Sequence, residues 1–376
     1  MSYRRLFLAI AAAAAVVLSA PFVSQIRFWI RATFPGHFVI VVGGLIAVAV
    51  AAALVAAFLR IRDRRVPRYT AIAAAVLIAA AYSAAIATDN AQANAVERFH
   101  FVEYGLVTFL FYRAWRPLGD ASVLVLPILA GLIVGTLEEW FQWFLPVRVG
   151  EMRDVFLNLA AIVCGLLFST GVDPPEGFGG AWRAGSLRRV GWLGAAVILG
   201  FAAFLDSVHL GHAIVDPVAG TFTSRYTVDE LDAHARDRAV RWSAAPPVVR
   251  SLSREDQYLS EGILHVQERN RLWDAGDASG AWHENLILET YYEPVLGTTY
   301  PAANGSPHRW PEAHRDAAAA QARLSAPPYV SCADGGFIRT WPGSLLWSLA
   351  VALAAAALAA GYLLDRRQRP ARVPIR

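Results

Sequence analysis

The sequence predicts an all-α fold: a polytopic membrane helix bundle of about eight spans that carries a small, mainly helical extracytoplasmic domain. The chain is 56% hydrophobic and has a mean hydropathy of +0.39, which is too apolar for a soluble domain. Apolar runs long enough to cross a bilayer recur along the chain. One polar region, from about Asp206 to Pro342, separates the last run from the others.

Eight apolar runs are the candidate spans. A helix needs roughly 20 mostly apolar residues to cross the hydrocarbon core, and the fourth and seventh runs are the shortest. The first run follows Arg4 and Arg5, as a signal peptide would, but further spans follow it and we interpret it as a retained helix. The runs are Leu6–Val23, Phe38–Leu59, Tyr69–Thr88, Phe99–Trp115, Ala121–Leu145, Val155–Val172, Val190–Leu205 and Ser344–Leu364.

The apolar runs and the polar region divide the chain into five parts. The N-terminal region, 1–89, holds three spans, and 90–172 forms a membrane core of three more. An inner loop and the seventh span occupy 173–206, and the extracytoplasmic domain follows at 207–342. The last span and a basic cytoplasmic tail lie at 343–376.

Local signals predict the helices of the polar domain. Thr227-Val-Asp-Glu230 is a capping box, which indicates the start of a helix. The spacing of apolar residues predicts a second helix within Ser253–Trp273, and Ala278–Tyr291 and Pro311–Leu324 also have helical patterns. Proline pairs and glycines separate these segments. We therefore expect a small, mainly α-helical domain.

The distribution of arginine predicts the orientation. All 34 basic residues are arginine, and short cytoplasmic loops are enriched in basic residues. With both termini in the cytoplasm, the inner loops and tails receive most of the arginines, and 207–342 lies outside the cytoplasmic membrane. We interpret the net charge of +4 as a consequence of topology and expect no nucleic-acid partner. The short outer loops receive only Arg27, Arg31, Arg98, Arg148 and Arg153.

This topology brings three polar sets to the outer surface of the membrane. They belong to the start of the fourth span, the end of the fifth, and the turn and first residues of the sixth. Ionisable groups at this depth cost free energy unless they are paired, hydrated or used, so they are usually functional. The candidate ligand-binding residues are His100, Glu103, Tyr104, Glu138, Glu139, Gln142, Arg148, Arg153, Asp154 and Asn158.

A purely structural interpretation explains each residue singly. Asp154 is favoured at a helix N-terminus by the helix dipole. Asn158 and Gln142 can bridge neighbouring helices through hydrogen bonds. Arg148 and Arg153 can extend to lipid headgroups. The set would then connect three helices without binding anything.

Three functional interpretations stand beside it. In the first, the arginines bind a pyrophosphate or carboxylate of a lipid-linked envelope precursor, while the carboxylates orient them or bind sugar hydroxyls. In the second, Glu139 or Asp154 works with His100 as acid and base in a membrane-embedded hydrolase or transferase. The third is an accessory protein of polysaccharide assembly or transport. Because the sequence offers no clear nucleophile, we favour binding over catalysis.

We expect no cofactor and no metal site. Cys164 and Cys332 lack metal-ligand spacing and are not expected to form a disulfide. In the polar domain, His265 and Glu268 lie three residues apart, and Trp282-His-Glu-Asn285 is a second polar group. We interpret both as packing features. Membrane lipids are the expected general partners, and the oligomeric state is not predicted.

Two segments, ERFHFVEYGLVTFLFYRA and GLIVGTLEEWFQWFLPVRVGEMRDVFLNLAAIVCGLLF, resemble the VanZ-like membrane proteins. Within about Arg98 to Phe168, that family has a His before an apolar helix, a Glu-x-x-Gln near a span end, an Arg, an Asp, and an Asn four residues after the Asp. Val96, Glu97 and Ala161 depart from its usual residues. The matching positions are His100, Glu139, Gln142, Arg148, Asp154, Asn158 and Gly165.

The resemblance implies a bacterial cytoplasmic-membrane protein of the cell envelope. Because the founding member is associated with low-level resistance to the glycopeptide teicoplanin, it also implies a possible role in antibiotic resistance. Combined with the outer-face polar residues, it leads us to expect binding of an anionic, lipid-linked cell-wall or glycan component.

Overall fold

The computed structural model describes residues 3–145, 150–175, 177–244, 257–298, 308–322 and 328–368. It confirms the all-α fold class, because helices make up most of these ranges and the strands within them form one short hairpin. The described residues fall into two compact units. The first comprises 3–143, 150–204 and 347–368, and the second 205–346 with 144–145. The division into five parts stays a prediction.

Long helices build the first unit. Their apolar stretches are rich in Ala, Leu, Val and Ile, which satisfy the backbone internally, as a lipid environment requires. A 3-10 turn at Arg116–Leu118 connects the fourth helix to the fifth. The helices are α1 (Tyr3–Thr33), α2 (Phe38–Arg60), α3 (Arg65–Ala85), α4 (Ala91–Trp115), α5 (Ser122–Trp143), α6 (Met152–Val172), α7 (Ser186–Val208) and, near the end of the chain, α13 (Gly343–Arg367).

Among the described residues, seven helices are long and apolar enough to cross a membrane: the Tyr3–Val23 part of α1, together with α2, α3, α5, α6, α7 and α13. They match seven of the eight predicted runs, so the chain is a multi-pass membrane protein. The helix over the remaining run, α4, has 25 residues but carries Glu97, Arg98, Glu103 and Arg113, which lower its hydropathy. The expected eighth span is therefore not among the seven.

Although it is the most polar of these helices, α4 lies in the middle of the first unit. It packs against α1, α2, α5 and α6. Its buried Tyr104, Val107 and Phe111 share a core with Leu126 of α5 and Ile162 of α6. Because neighbouring helices surround α4, its polar side chains can be matched by protein groups instead of facing lipid.

Close helix crossings depend on two glycines. A Cβ built on Gly165 of α6 would lie 2.8 Å from the Cα of Gly105 in α4, and one on Gly131 of α5 would lie 2.8 Å from the side chain of Ile162. Small residues let helix backbones approach, and van der Waals packing drives association where lipid removes the hydrophobic driving force. These contacts hold α4, α5 and α6 together at fixed spacing.

The second unit is mainly helical, as predicted. The capping box is present: the backbone N–H of Glu230 donates to Thr227 Oγ1 at 3.3 Å and that of Thr227 donates to Glu230 Oε2 at 2.8 Å. Its elements are β1 (His212–Asp216), β2 (Gly220–Ser224), α8 (Val228–Ala244), α9 (Gln257–Asp274), α10 (Ala278–Tyr291), α11 (Glu293–Leu296) and α12 (Glu312–Gln321).

The hairpin β1–β2 was not predicted. The strands are antiparallel, with Ile214 paired to Phe222, and both side chains enter the core of this unit beside Tyr258. The turn uses Asp216, whose Oδ1 accepts from the backbone N–H groups of Val218 and Ala219 at 2.7 Å each. Gly220 follows with φ +107°, a conformation that favours glycine. Asp216 and Gly220 are residue types that are common in turns, but in the sequence they lie between two segments with helical patterns.

Candidate functional site

Hydrogen bonds join α4, α5 and the start of α6 into one polar cluster, which we define as Tyr104, Glu138, Glu139, Gln142 and Glu151. Tyr104 Oη donates to Glu138 Oε2 at 2.5 Å. Gln142 Nε2 donates to Glu138 Oε1 at 3.1 Å and to Glu139 Oε1 at 3.2 Å. The backbone N–H of Glu151 donates to Glu139 Oε2 at 3.1 Å. The three helices that topology predicted to meet are thus in contact here.

The spacing within α5 explains why these side chains converge. Glu138 and Gln142 are four residues apart and Glu139 and Gln142 three apart, so all three can meet on one face of the helix. The chain then returns close to the end of α5 at Gly150, where a Cβ would collide with the carbonyl oxygen of Glu139. Glycine at this position lets the Glu151 N–H reach the Glu139 carboxylate.

The cluster is buried. Tyr104 and Glu139 have no exposed surface, and Glu138 and Gln142 are nearly as enclosed. A buried carboxylate is costly unless hydrogen bonds replace its water shell. The bonds from Tyr104, Gln142 and the Glu151 N–H supply that replacement, so the cluster is a preorganised set of oxygen acceptors.

Asn158 differs from its neighbours. Its side chain, on α6, is fully buried, yet neither amide atom has a hydrogen-bond partner among the residues that the structure describes. The amide lies against Gly135 of α5, where a Cβ would be 3.2 Å from Asn158 Nδ2. Buried polar groups are nearly always bonded, and an unsatisfied one costs about 1–3 kcal/mol. Asn158 therefore holds unused capacity to donate and accept.

Arg153 lies at the edge of this region. It forms an ion pair with Glu97, which joins the start of α6 to α4, and its Nε is 3.9 Å from Asp154 Oδ1. The Arg153 side chain is 48% exposed, so this pair contributes little to stability. The guanidinium is consequently available to exchange partners at small cost.

The remaining predicted site residues differ in how closely they approach the polar cluster. The His100 ring stacks on Tyr104 with centroids 6.1 Å apart, as their i, i+4 spacing predicts. Glu103 is half-buried on the same helix. Arg148 lies outside the described residues. The structure thus brings five of the predicted residues together through direct contacts: Tyr104, Glu138, Glu139, Gln142 and His100. Arg153 and Asp154 lie close to each other at the start of α6.

Four contributors were missed by sequence reasoning. Glu97 was noted only as a departure from the family pattern, yet it pairs with Arg153. Gly150 and the Glu151 N–H act through the backbone, which residue type does not reveal. Gly135, four residues after Gly131, could have been recognised, because small residues spaced by four mark close helix contacts.

In the second unit, the sequence neighbours His265 and Glu268 do not pair. His265 Nδ1 lies 2.6 Å from Glu284 Oε2, whereas Glu268 binds Arg271. Tyr329 Oη donates to the other Glu284 oxygen at 2.6 Å, and burial first, then Glu284, raises the pKa of Tyr329. Within the described ranges, no group of three or more His, Cys, Asp or Glu residues could hold a metal ion.

Fold and cluster together define the class: an α-helical, multi-pass membrane protein with a buried polar cluster between three of its helices and a second, mainly helical unit. Compared with known proteins, the chain matches no family model, no curated protein and no solved structure.

Proposed function

We propose that the chain is a VanZ-like protein of the bacterial cell envelope, and that its polar cluster with Asn158 binds an anionic, lipid-linked cell-wall or glycan component. The observation that carries the proposal is the fully buried Asn158 amide, both of whose polar atoms lack a partner among the described residues. A ligand hydroxyl would satisfy both atoms. The family assignment rests on the motif resemblance alone.

The chemistry of the cluster suits a hydroxyl-rich ligand. Carboxylates only accept hydrogen bonds, whereas an amide both donates and accepts. A sugar hydroxyl can donate to a carboxylate such as Glu138 or Glu139 and accept from the Asn158 Nδ2. A site built this way rejects a ligand that lacks the hydroxyl, because its own polar groups are then left unpaired.

In this proposal, Arg153 binds the anionic part of the ligand. Its half-exposed pair with Glu97 contributes about 0–1 kcal/mol, so a phosphate group can replace the carboxylate. Arginine binds phosphate oxygens through two parallel hydrogen bonds. Arginine at the rim and hydroxyl-binding groups inside match a sugar joined to a lipid through a phosphate.

The location of the site follows from the predicted orientation. Arginine counting over all eight predicted spans, α4 included, predicts the starts of α4 and α6 and the end of α5 on the outer face of the cytoplasmic membrane, with both termini inside. Lipid-linked wall precursors are used on that face. The same resemblance extends the proposal to low-level glycopeptide resistance, since a protein that binds such a precursor would alter the target of teicoplanin.

Asn158→Leu tests the proposal. Leucine has nearly the shape of asparagine without its polar atoms, so folding should be unaffected or stabilised, because the unsatisfied amide is removed. Binding of a polyprenyl-pyrophosphate-linked disaccharide to the full chain in nanodiscs should fall about tenfold to a hundredfold, from the loss of one or two hydrogen bonds.

Thr108→Val is the matched control. Thr108 lies on α4, is fully buried, and its Oγ1 also lacks a described partner, but it is outside the polar cluster. This variant should keep full affinity and equal or higher thermal stability. Unchanged affinity in Asn158→Leu would contradict the proposal, and lost stability in that variant would favour the purely structural interpretation.

A further inference from the structure

A second candidate site lies in the first unit, between α7 and α13. It is a cavity of about 610 Å³ lined by Arg188, Arg189, Trp192, Leu358 and Tyr362. The cavity involves none of the residues of the polar cluster. Its lining combines two guanidinium groups, two large aromatic rings and one aliphatic side chain.

Tight helix packing builds this cavity. A Cβ on Gly191 would lie 2.7 Å from the carbonyl oxygen of Ala357, and one on Gly361 would lie 2.7 Å from that of Leu187. The two backbones therefore touch on one face. The buried Asp365 accepts a hydrogen bond from the backbone N–H of Gly185, which fastens the end of α13 to the start of α7. The cavity is thus formed by two helices held in fixed register.

The lining is electropositive. The five lining residues include two arginines and no carboxylate, and the nearby Asp365 is engaged with the backbone of Gly185. Arg366 adds a third guanidinium, 5.6 Å from the centre of the Tyr362 ring. Guanidinium groups bind phosphate oxygens in pairs, so the chemistry of this lining selects a phosphate-bearing anion.

The aromatic side chains indicate a ligand at a membrane boundary. Trp192 is 62% exposed and Tyr362 is 51% exposed, although both lie on helices apolar enough to cross a membrane. Tryptophan and tyrosine are enriched where a span leaves the hydrocarbon, because one end of the ring is apolar and the other polar. A ligand here would meet arginines at headgroup level and apolar surface, including Leu358, below them.

We propose that this cavity binds the headgroup of an anionic phospholipid. The start of α7 and the end of α13 belong to the arginine-rich side of the chain, which arginine counting predicts to be cytoplasmic. Basic pockets between membrane helices on that side bind anionic headgroups. A free phosphate ion shares the charge but has no acyl chains to contact Leu358 and Trp192.

The test is native mass spectrometry of the full chain, released from detergent in the presence of dioleoylphosphatidylglycerol or dioleoylphosphatidylcholine. Wild-type protein should retain the anionic lipid in preference to the zwitterionic one. Arg188→Gln/Arg189→Gln should reduce retention of the anionic lipid roughly 30-fold, with the zwitterionic lipid unaffected. Both arginines are exposed, so the variant should fold normally.

Arg4→Gln/Arg5→Gln is the control, since it removes the same charge from two exposed arginines at the start of α1. It should leave retention unchanged. Trp192→Leu, which keeps both charges, should give a smaller loss than the arginine variant. Equal losses in the two arginine variants, or no loss in either, would overturn the proposal. Stoichiometric binding of inorganic phosphate without lipid would overturn the lipid assignment in favour of a soluble anion.

Discussion

The two units contain buried asparagines in opposite states. In the second unit, Asn285 is 2% exposed; its Oδ1 accepts from Arg269 Nη1 at 3.1 Å and its Nδ2 donates to Glu289 Oε1 at 2.9 Å. In the first unit, Asn158 has no described partner for either atom. A buried amide with both atoms bonded stabilises the fold, whereas one with neither bonded destabilises it. The contrast separates a structural network from the binding site that we propose.

The largest expected effect on stability comes from removing the hydrogen-bond acceptor of a buried network in the second unit. Glu261 accepts from Ser224 at 2.6 Å, from Arg225 at 3.1 Å and from Tyr292 at 3.0 Å. Glu261→Ala leaves a largely enclosed arginine and two buried hydroxyls without their acceptor. We expect the free energy of unfolding to fall by about 3–5 kcal/mol, measured by hydrogen exchange of β2 and α9 amides in the full chain.

Glu293→Ala is the control for that experiment. Glu293 forms an ion pair with Arg309 at 2.5 Å, but both side chains are more than half exposed. Exposed pairs contribute about 0–1 kcal/mol, so exchange rates should barely change. Equal effects of the two substitutions would show that burial does not distinguish these networks.

A smaller effect is expected from Gly150→Ala in the first unit. The added Cβ would collide with the carbonyl oxygen of Glu139 and displace the backbone N–H that Glu151 donates to that side chain. Overpacking of this kind costs about 1–3 kcal/mol. The melting temperature in detergent and the affinity for the lipid-linked disaccharide should therefore fall together.

Gly194→Ala should have the opposite effect on the melting temperature. Gly194 lies within α7, and apart from its chain neighbours and the nearby backbone of its own helix, no described atom comes within 4 Å of the added Cβ. Alanine is favoured over glycine inside a helix by about 0.5–1 kcal/mol, so the melting temperature should rise slightly with affinity unchanged. A loss of stability here like that of Gly150→Ala would show that the collision is not the cause.

The smallest expected effect is a pH dependence confined to the second unit. Burial, then the nearby Arg238, lowers the pKa of His234 below its ordinary value of 6.5. The Arg315 guanidinium holds the pKa of Glu289 below its ordinary value of 4.5. In both cases the folded state binds protons less readily than the unfolded state, so stability is complete above the unfolded pKa and lost as the pH falls.

The two lowered pKa values define the pH range over which the stability should change. Stability should be constant between about pH 7 and about pH 9, begin to decline below 6.5 as unfolded His234 is protonated, and decline further below 4.5 as unfolded Glu289 is protonated. Hydrogen exchange of α8 and α10 amides across this range measures it. Glu289→Gln should flatten only the lower part of the curve, and a decline between about pH 7 and about pH 9 would contradict the assignment.

Local patterns made much of the fold predictable. Seven apolar runs, the Thr227–Glu230 capping box and the α10 helix depend on residues near each other in sequence, where periodicity and capping act. The convergence at the polar cluster was predictable because antiparallel helices bring the start of α4 and the end of α5 to one level. The central position of α4 was not predictable, because its charged residues suggest a helix that is exposed to solvent.

Partners distant in sequence could not be predicted. His265 was expected beside Glu268, three residues away, but pairs with Glu284 on α10. Whether the Asn158 amide finds a hydrogen-bond partner depends on the groups that α5 presents to α6, and no local sequence pattern specifies them. Its contact with Gly135 requires the three-dimensional crossing of the two helices. The sequence predicted a set of polar residues at this level of the membrane, and the geometry showed that the Asn158 amide has no hydrogen-bond partner among the described residues.

The most direct test observes the two amides themselves. In full-length protein with ¹⁵N-labelled asparagine side chains, the resonance lost in Asn158→Leu identifies the Asn158 amide, and Asn285 serves as the internal reference. Addition of a polyprenyl-pyrophosphate-linked disaccharide should shift the Asn158 resonance and leave that of Asn285 in place. An unshifted Asn158 resonance while the ligand is bound would contradict the claim that this amide belongs to the binding site.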